Sequence, residues 1–433
     1  MDGRLFTKME SQPVLEKVRP EKPSYRRVLS NRSFSLLWIG QLVSQSGDFI
    51  FDVAALWLVL QLTGDTLKVG VAVAFVLLPA VVVGPFAGVY IDRFNRRDIM
   101  IAANIFQAGA AIGIAVSYSI GVLNFPVLLI LLFVLNAGAQ FVRPAVTAVV
   151  PSVTGKEDLA AANGLFSLTS SINQVAGYGI GGVIVLLFGP TLPILYDALT
   201  FVFAALVISM IARSRCAIPN TFSTLGSPLA ASSFKQKFLE GLKYIRGSRF
   251  LLELVVVGVL LNFFGTGVFA LLAPYSRDVI HGNAGTYGIL LAMFSLGIIL
   301  GSIFVGKIDS RKYVGKLLFL GVVAVGGLTV ALAFTTVAWL ALGVAFGVGF
   351  FNAIVNIPLS VLIQAKIPGE LLGRVATSLG ALITLSQPIS AATAGGVAGS
   401  LSIGETFLIY GFFMVLVSAA TYFLFGELRN ATY

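Results

Sequence analysis

Twelve apolar stretches follow one another along the chain, at 34–62, 69–91, 99–121, 126–150, 162–187, 191–212, 250–273, 286–306, 315–334, 337–363, 376–400 and 404–426. Each approaches or exceeds the roughly 20 predominantly apolar residues a helix needs to cross the hydrocarbon layer of a bilayer. Backbone groups in lipid must be satisfied internally, so helices or closed barrels alone can span it, and these runs are too long and continuous for barrel strands. The fold expected is an all-α membrane protein with twelve transmembrane helices. Composition agrees. Charged residues make up 11% of the 433, less than half of the roughly 25% in a typical soluble domain. Residues 1–33 are basic, contain proline and lack the short apolar core of a cleavable signal, so they read as a cytoplasmic tail. Cys216 is the single cysteine, which excludes an internal disulfide.

Lys and Arg orient such a chain. With the N-terminus inside, 26 of the 29 fall in cytoplasmic tails and loops, while Lys68 and Arg277 lie on the opposite side and Arg143 lies within a helix. Both termini are expected in the cytoplasm of a multi-pass cell-membrane protein. The net charge of +10 follows from this topology and calls for no nucleic-acid partner.

The chain repeats itself. Gly40, Gly47 and Gly70 recur as Gly258, Gly265 and Gly288, each 218 positions later; Gly84 and Asp92 recur as Gly301 and Asp309 at an offset of 217; Pro144 matches Pro358 at 214. The expected organisation is a tail (1–33), a six-helix bundle (34–212), a linker (213–249), a second six-helix bundle (250–426) and a short tail (427–433). Parallel repeats of this kind rock about a central site. In the linker, Phe234, Phe238, Leu242 and Ile245 share one helical face among basic residues, the pattern of a helix lying on an anionic inner leaflet.

Two stretches imitate nucleotide motifs. GSIFVGKIDSRK (301–312) has the G-x-x-x-x-G-K spacing, but Ile308 stands where a hydroxyl should hold magnesium, and the stretch closes a hydrophobic helix instead of opening one after a strand. GYGIGG (177–182) lies within a transmembrane run, where small residues serve close helix packing.

The first-half counterpart of 301–312 is GPFAGVYIDRFNRR (84–97). It resembles the major facilitator superfamily signature G-x-x-x-D-R-x-x-R-R between helices 2 and 3, matched by Gly88, Asp92, Arg93, Arg96 and Arg97. The second copy keeps Asp309, Arg311 and Lys312. LLWIGQLVSQSGD, RPAVTAVVP, DLAAANGL, YDALTF and ELLGRV resemble the macrolide-efflux and enterobactin-exporter branch. The resemblance covers residues 30–427 and implies two pseudo-symmetric six-helix bundles in the major facilitator fold. It also implies a cytoplasmic gate formed by Gly88, Asp92, Arg93, Arg96, Arg97, Asp309 and Arg311. Two positions depart from the family: Tyr178 replaces the proline of the helix 5 antiporter motif, and Val134 stands where drug–proton antiporters carry an arginine.

Polar residues inside a membrane are expensive and are therefore functional candidates. Gln41, Gln45, Asp48 and Asp52 span about 60° of helix 1, a single polar stripe. Asn136, Gln140, Arg143 and Thr147 make a second on helix 4; Ser167, Ser171, Gln174 and Tyr178 a third on helix 5. Helices 1 and 4 border the central cavity in the resembled superfamily. An Asp48–Arg143 pair fits one transport state, and its separation in another would let Asp48 bind a proton more readily. Asp197 reads as a packing or capping group. The second half offers aromatic residues and amides, of which Phe263, Phe350 and Asn356 fall at similar depth. The expected substrate and proton pathway is thus Gln41, Gln45, Asp48, Asp52, Asn136, Gln140, Arg143, Gln174, Phe263, Phe350 and Asn356.

The function expected is secondary active transport, with proton-coupled export of amphiphilic drugs or natural products by alternating access. The alternatives are an importer, facilitator or lipid-translocating member of the same fold, or a transport-inactive sensor. Partners are a small amphiphilic organic substrate, protons and the lipid bilayer, with the chain acting as a monomer. No catalytic triad, metal cluster or cofactor motif is present in the sequence.

Overall fold

Short polar residues set the helix starts. Asn31 accepts from the Ser33 and Phe34 N–H groups, Asp65 from Leu67, Asn95 from Arg97, Asn124 from Val127, Ser248 from Leu251 and Ser402 from Glu405. Each side chain satisfies donors that a helix N-terminus leaves unpaired. In a computed structural model describing residues 24–155, 157–216, 234–307 and 314–426, the described residues are almost entirely helical.

A short surface helix α1 (Tyr25–Ser30) leads into the first bundle: α2 (Arg32–Thr63), α3 (Thr66–Val82), α4 (Gly84–Ile91), α5 (Arg96–Ser119), α6 (Phe125–Thr154), α7 (Leu159–Phe188) and α8 (Thr191–Ser209). The linker contributes α9 (Phe234–Gly247). The second bundle holds α10 (Arg249–Ala270), α11 (Ala284–Lys307), α12 (Val314–Phe334), α13 (Ala338–Lys366), α14 (Gly369–Ser400) and α15 (Ile403–Leu424). A turn and a wide π turn extend α10 into one span, Arg249–Val279. α3 and α4 form one span bent by 41°, at a point where Pro79 and Pro85 both lack the N–H that an unbroken helix requires. Counted so, twelve spans make two six-helix bundles, the major facilitator fold.

Among the described residues the bundles touch at one end. At the end opposite the chain termini, Gly70 of α3 packs so closely on α14 that an added Cβ would stand 2.8 Å from the Gly395 Cα. Gly182 of α7 likewise meets the Ala284 carbonyl and Gly288 Cα of α11, at 2.7 and 2.9 Å from the position of a Cβ. A single apolar core there draws on both halves, including Trp57, Leu60 and Val73 with Leu272, Tyr287 and Ala391. At the terminal end each half has its own core, around Phe34 and Met100 in one and around Leu254 and Leu318 in the other. The two halves therefore splay apart toward the terminal end.

The linker helix departs from the sequence expectation. α9 sits on the second bundle rather than having its apolar face on lipid: Ile245 is buried in that bundle's core, Glu240 pairs with Arg374 at 2.7 Å, and the Phe238 carbonyl accepts from Ser378 Oγ at 2.9 Å. Gly241 permits the approach, since a Cβ there would stand 2.8 Å from the Arg374 carbonyl carbon. A neighbouring apolar helix end gives that face a drier partner than the membrane surface does.

Candidate transport site

Between the halves lies a cavity of about 430 Å³. α2 contributes Phe51 and Asp52, α6 Asn136, and α7 Tyr178; from the other half come Asn262, Thr266 and Phe269 of α10, Tyr287 of α11, Asn352 and Asn356 of α13, and Gln387 of α14. Among the described residues Asp52 is the one carboxyl on these walls. The expected Asp52, Asn136 and Asn356 are thus brought together across the two halves.

The other expected residues fall elsewhere. Asp48 continues the Asp52 face one turn toward the terminal end. Arg143 lies near both carboxyls, but no hydrogen bond or ion pair joins it to either. Arg143, Thr147 and Asn356 are exposed where the halves separate. Gln140 donates to the Asn136 carbonyl at 3.3 Å, and Gln174 lies beside the Tyr178 hydroxyl. Gln41 is buried below the cavity, with its Nε2 unpartnered, and Gln45 Oε1 is buried likewise. Phe263 stacks with Tyr410 at 6.2 Å, and Phe350 packs on the exposed Phe304 at 5.4 Å. At 100° per residue, each of these two rings lies about 140–170° around its helix from the cavity face.

Two carboxamides on the cavity wall escaped sequence reading: Asn262 and Gln387. A carboxamide in the middle of an apolar run was the available signal, because burying it in lipid is costly. Asp197 is fully buried in α8, where it packs against Gly47 and accepts from Thr200 Oγ1 at 3.3 Å.

The signature residues at the terminal end engage their own half. Arg96 Nη1 donates to the Ala148 carbonyl at 3.1 Å, Arg97 Nη2 to the Ser209 carbonyl, and Arg213 pairs with Asp98 at 2.7 Å. Asp92 is the exposed C-cap of α4, Arg93 is exposed, and nothing lies within 4 Å of a Cβ built on Gly88. Asp309 and Arg311 fall outside the described residues.

At the opposite end, Arg277 reaches from the second half to the C-terminus of α2, donating to the Leu60 and Gly64 carbonyls at 3.3 and 3.2 Å. Helix C-termini leave such carbonyls unpaired and carry partial negative charge, so a guanidinium is well placed there. Trp57 and Tyr287 stack across the same junction at 6.4 Å.

The pattern of a bent second span, two bundles and a central cavity has a match: the transmembrane secretion effector family model aligns with residues 26–431. The chain belongs to that family. It is a major facilitator superfamily transporter of the macrolide-efflux branch, and not an enzyme. Macrolide efflux protein A of Streptococcus pyogenes is 25% identical over 395 residues, covering 89% of this chain and 94% of the relative. The multidrug efflux pump Tap of Mycolicibacterium fortuitum is 24% identical, covering 90% and 95%. Among solved structures, a bacterial homologue of the human lysosomal transporter Spinster, in an inward-facing and unoccupied conformation, superposes with a TM-score of 0.72 at 15% identity, covering 92% of this chain and 98% of that one. A D-xylose–proton symporter gives 0.69 at 13%, covering 94% and 100%. These two structural likenesses speak for the fold alone.

Proposed function

We propose that this transporter exports amphiphilic organic cations, taking them up on the terminal side and exchanging them for protons. One observation carries the reading: among the described residues Asp52 is the lone carboxyl on the walls of a cavity otherwise made of apolar, aromatic, hydroxyl and amide groups. Tyr178 and Tyr287 add ring faces suited to a cation. Asp48 and Arg143, between the cavity and the terminal end, are groups through which protonation and substrate binding can oppose each other. The Lys and Arg bias supports a cytoplasmic terminal end, and on this reading the splayed halves are the inward-open form of a monomer in the cell membrane. The efflux names of the relatives support the direction. The full chain in proteoliposomes under an imposed pH gradient tests it. Outward substrate flux that collapses with the gradient, and that Asp48→Asn uncouples while binding persists, is expected. Accumulation in the reverse sense would make the protein an importer, and gradient-insensitive flux a facilitator.

A further inference from the structure

The two walls of the cavity differ in kind. The first half brings a carboxyl; the second brings carboxamides. Gln387 Nε2 of α14 donates to Asn262 Oδ1 of α10 at 3.2 Å, while Asn262 Nδ2 donates to the Gly258 carbonyl at 2.9 Å. That pair of bonds fixes both amides. A backbone carbonyl can accept but not donate, so the Asn262 nitrogen must face Gly258 and its oxygen must face Gln387. Gln387 must then present its nitrogen to Asn262, which leaves its Oε1 without a protein partner. One N–H of each amide is also uncommitted. An acceptor and two donors thus stand side by side on the cavity wall, held by a link between two helices, with Leu261, Phe269 and Met414 as apolar neighbours on the same wall. Below them Asn356 Nδ2 donates to Asn352 Oδ1 at 3.1 Å, so the same wall carries a second amide pair toward the opening.

We propose that Asn262 and Gln387 form a subsite that hydrogen-bonds the neutral polar groups, hydroxyl or carbonyl, of the transported molecule. This makes the protein selective for cations that carry such groups over purely apolar cations. The proposal deepens the exporter reading and rests on it for the cavity being the substrate site. A wall of committed amides discriminates strongly: a ligand lacking the matching group displaces water and leaves polar atoms unpaired, whereas one that carries it replaces the water bond for bond.

Equilibrium binding to the purified full chain tests the subsite, with two probes. Erythromycin is a cation with free hydroxyl and carbonyl groups; tetraphenylphosphonium is a cation with none. In Gln387→Met and Asn262→Leu, erythromycin affinity should fall about tenfold, the loss expected for one or two hydrogen bonds, and tetraphenylphosphonium affinity should hold or rise, because the polar atoms it would leave unpaired are gone. Retained tetraphenylphosphonium binding also certifies folding. Equal weakening of both probes reduces the pair to a packing role and overturns the proposal, as does no change in either. Asp52→Asn separates the two readings. If it leaves both affinities unchanged while Gln387→Met still discriminates, the cation-binding role of Asp52 falls and the amide subsite stands. If the wild-type chain binds neither probe, both fall.

Discussion

Gly47 of α2 and Asp197 of α8 meet so closely that a Cβ on Gly47 would stand 2.5 Å from Asp197 Oδ1. The carboxyl cannot retreat. It is fully buried, Thr200 holds one oxygen, and Oδ2 is buried without a hydrogen-bond partner. Gly47→Ala is therefore expected to force α2 and α8 apart and to cost about 1–3 kcal/mol, the usual range for overpacking. A thermal melt of the detergent-purified variant indistinguishable from wild type would show that this helix pair yields freely.

Arg277 holds the end opposite the termini closed through carbonyls of the other half. Arg277→Ala should shift the protein toward a form open at this end by about 1 kcal/mol, roughly fivefold in population, given partial solvent exposure of the bond. Because Cys216 is the single cysteine, spin labels at the exposed Leu192 and Leu401 on a Cys216→Ser background report the distance across this end. The long-distance fraction should rise in Arg277→Ala. An unchanged distribution would assign the closure to the glycine contacts alone.

Asp92 works in the opposite sense. With the halves apart at the terminal end it makes no contact across them among the described residues, so Asp92→Ala should leave the form open at the terminal end intact and depopulate the form open at the other end. The same label pair should show fewer long distances, the reverse of Arg277→Ala. A shift in the same direction for both variants would exclude opposed latches.

Asp158 anchors the segment before α2. Arg27 donates to it from Nε at 2.6 Å and from Nη2 at 2.8 Å, and the Ser24 N–H adds a third bond at 3.4 Å. The Arg27 hydrogen bonds, reinforced by Ser24, hold the Asp158 carboxyl below the usual carboxylate range. A lowered value in the folded state means that the anchor is complete above the ordinary carboxylate value of about 3.9. It is lost as pH falls through the lowered folded value. A spin label at exposed Ser30 should stay immobile at neutral pH and loosen in strong acid. In Asp158→Asn it should be loose at neutral pH and respond little to acid. Equal mobility in the two proteins at neutral pH would remove the ion pair from the anchor.

Twelve spans, their order and the twofold repeat are legible in the sequence because each follows from local chemistry: apolar length, loop charge and a recurring glycine spacing. The Asp52 face of α2 and the Asn136 face of α6 are legible for the same reason, since one helix's periodicity fixes which residues share a side. Tertiary packing decided the rest. Phe263 and Phe350 share depth with the cavity, but depth says nothing about rotation, and packing turned both rings away from the cavity. Gln387 joined Asn262 because α14 lies against α10, a neighbourhood that no spacing within either helix encodes. The amphipathic face of α9 announced burial but not the burying partner, and α14 took it from the membrane. Hydrophobic pattern specifies that a face is covered; which surface covers it depends on how the helices meet.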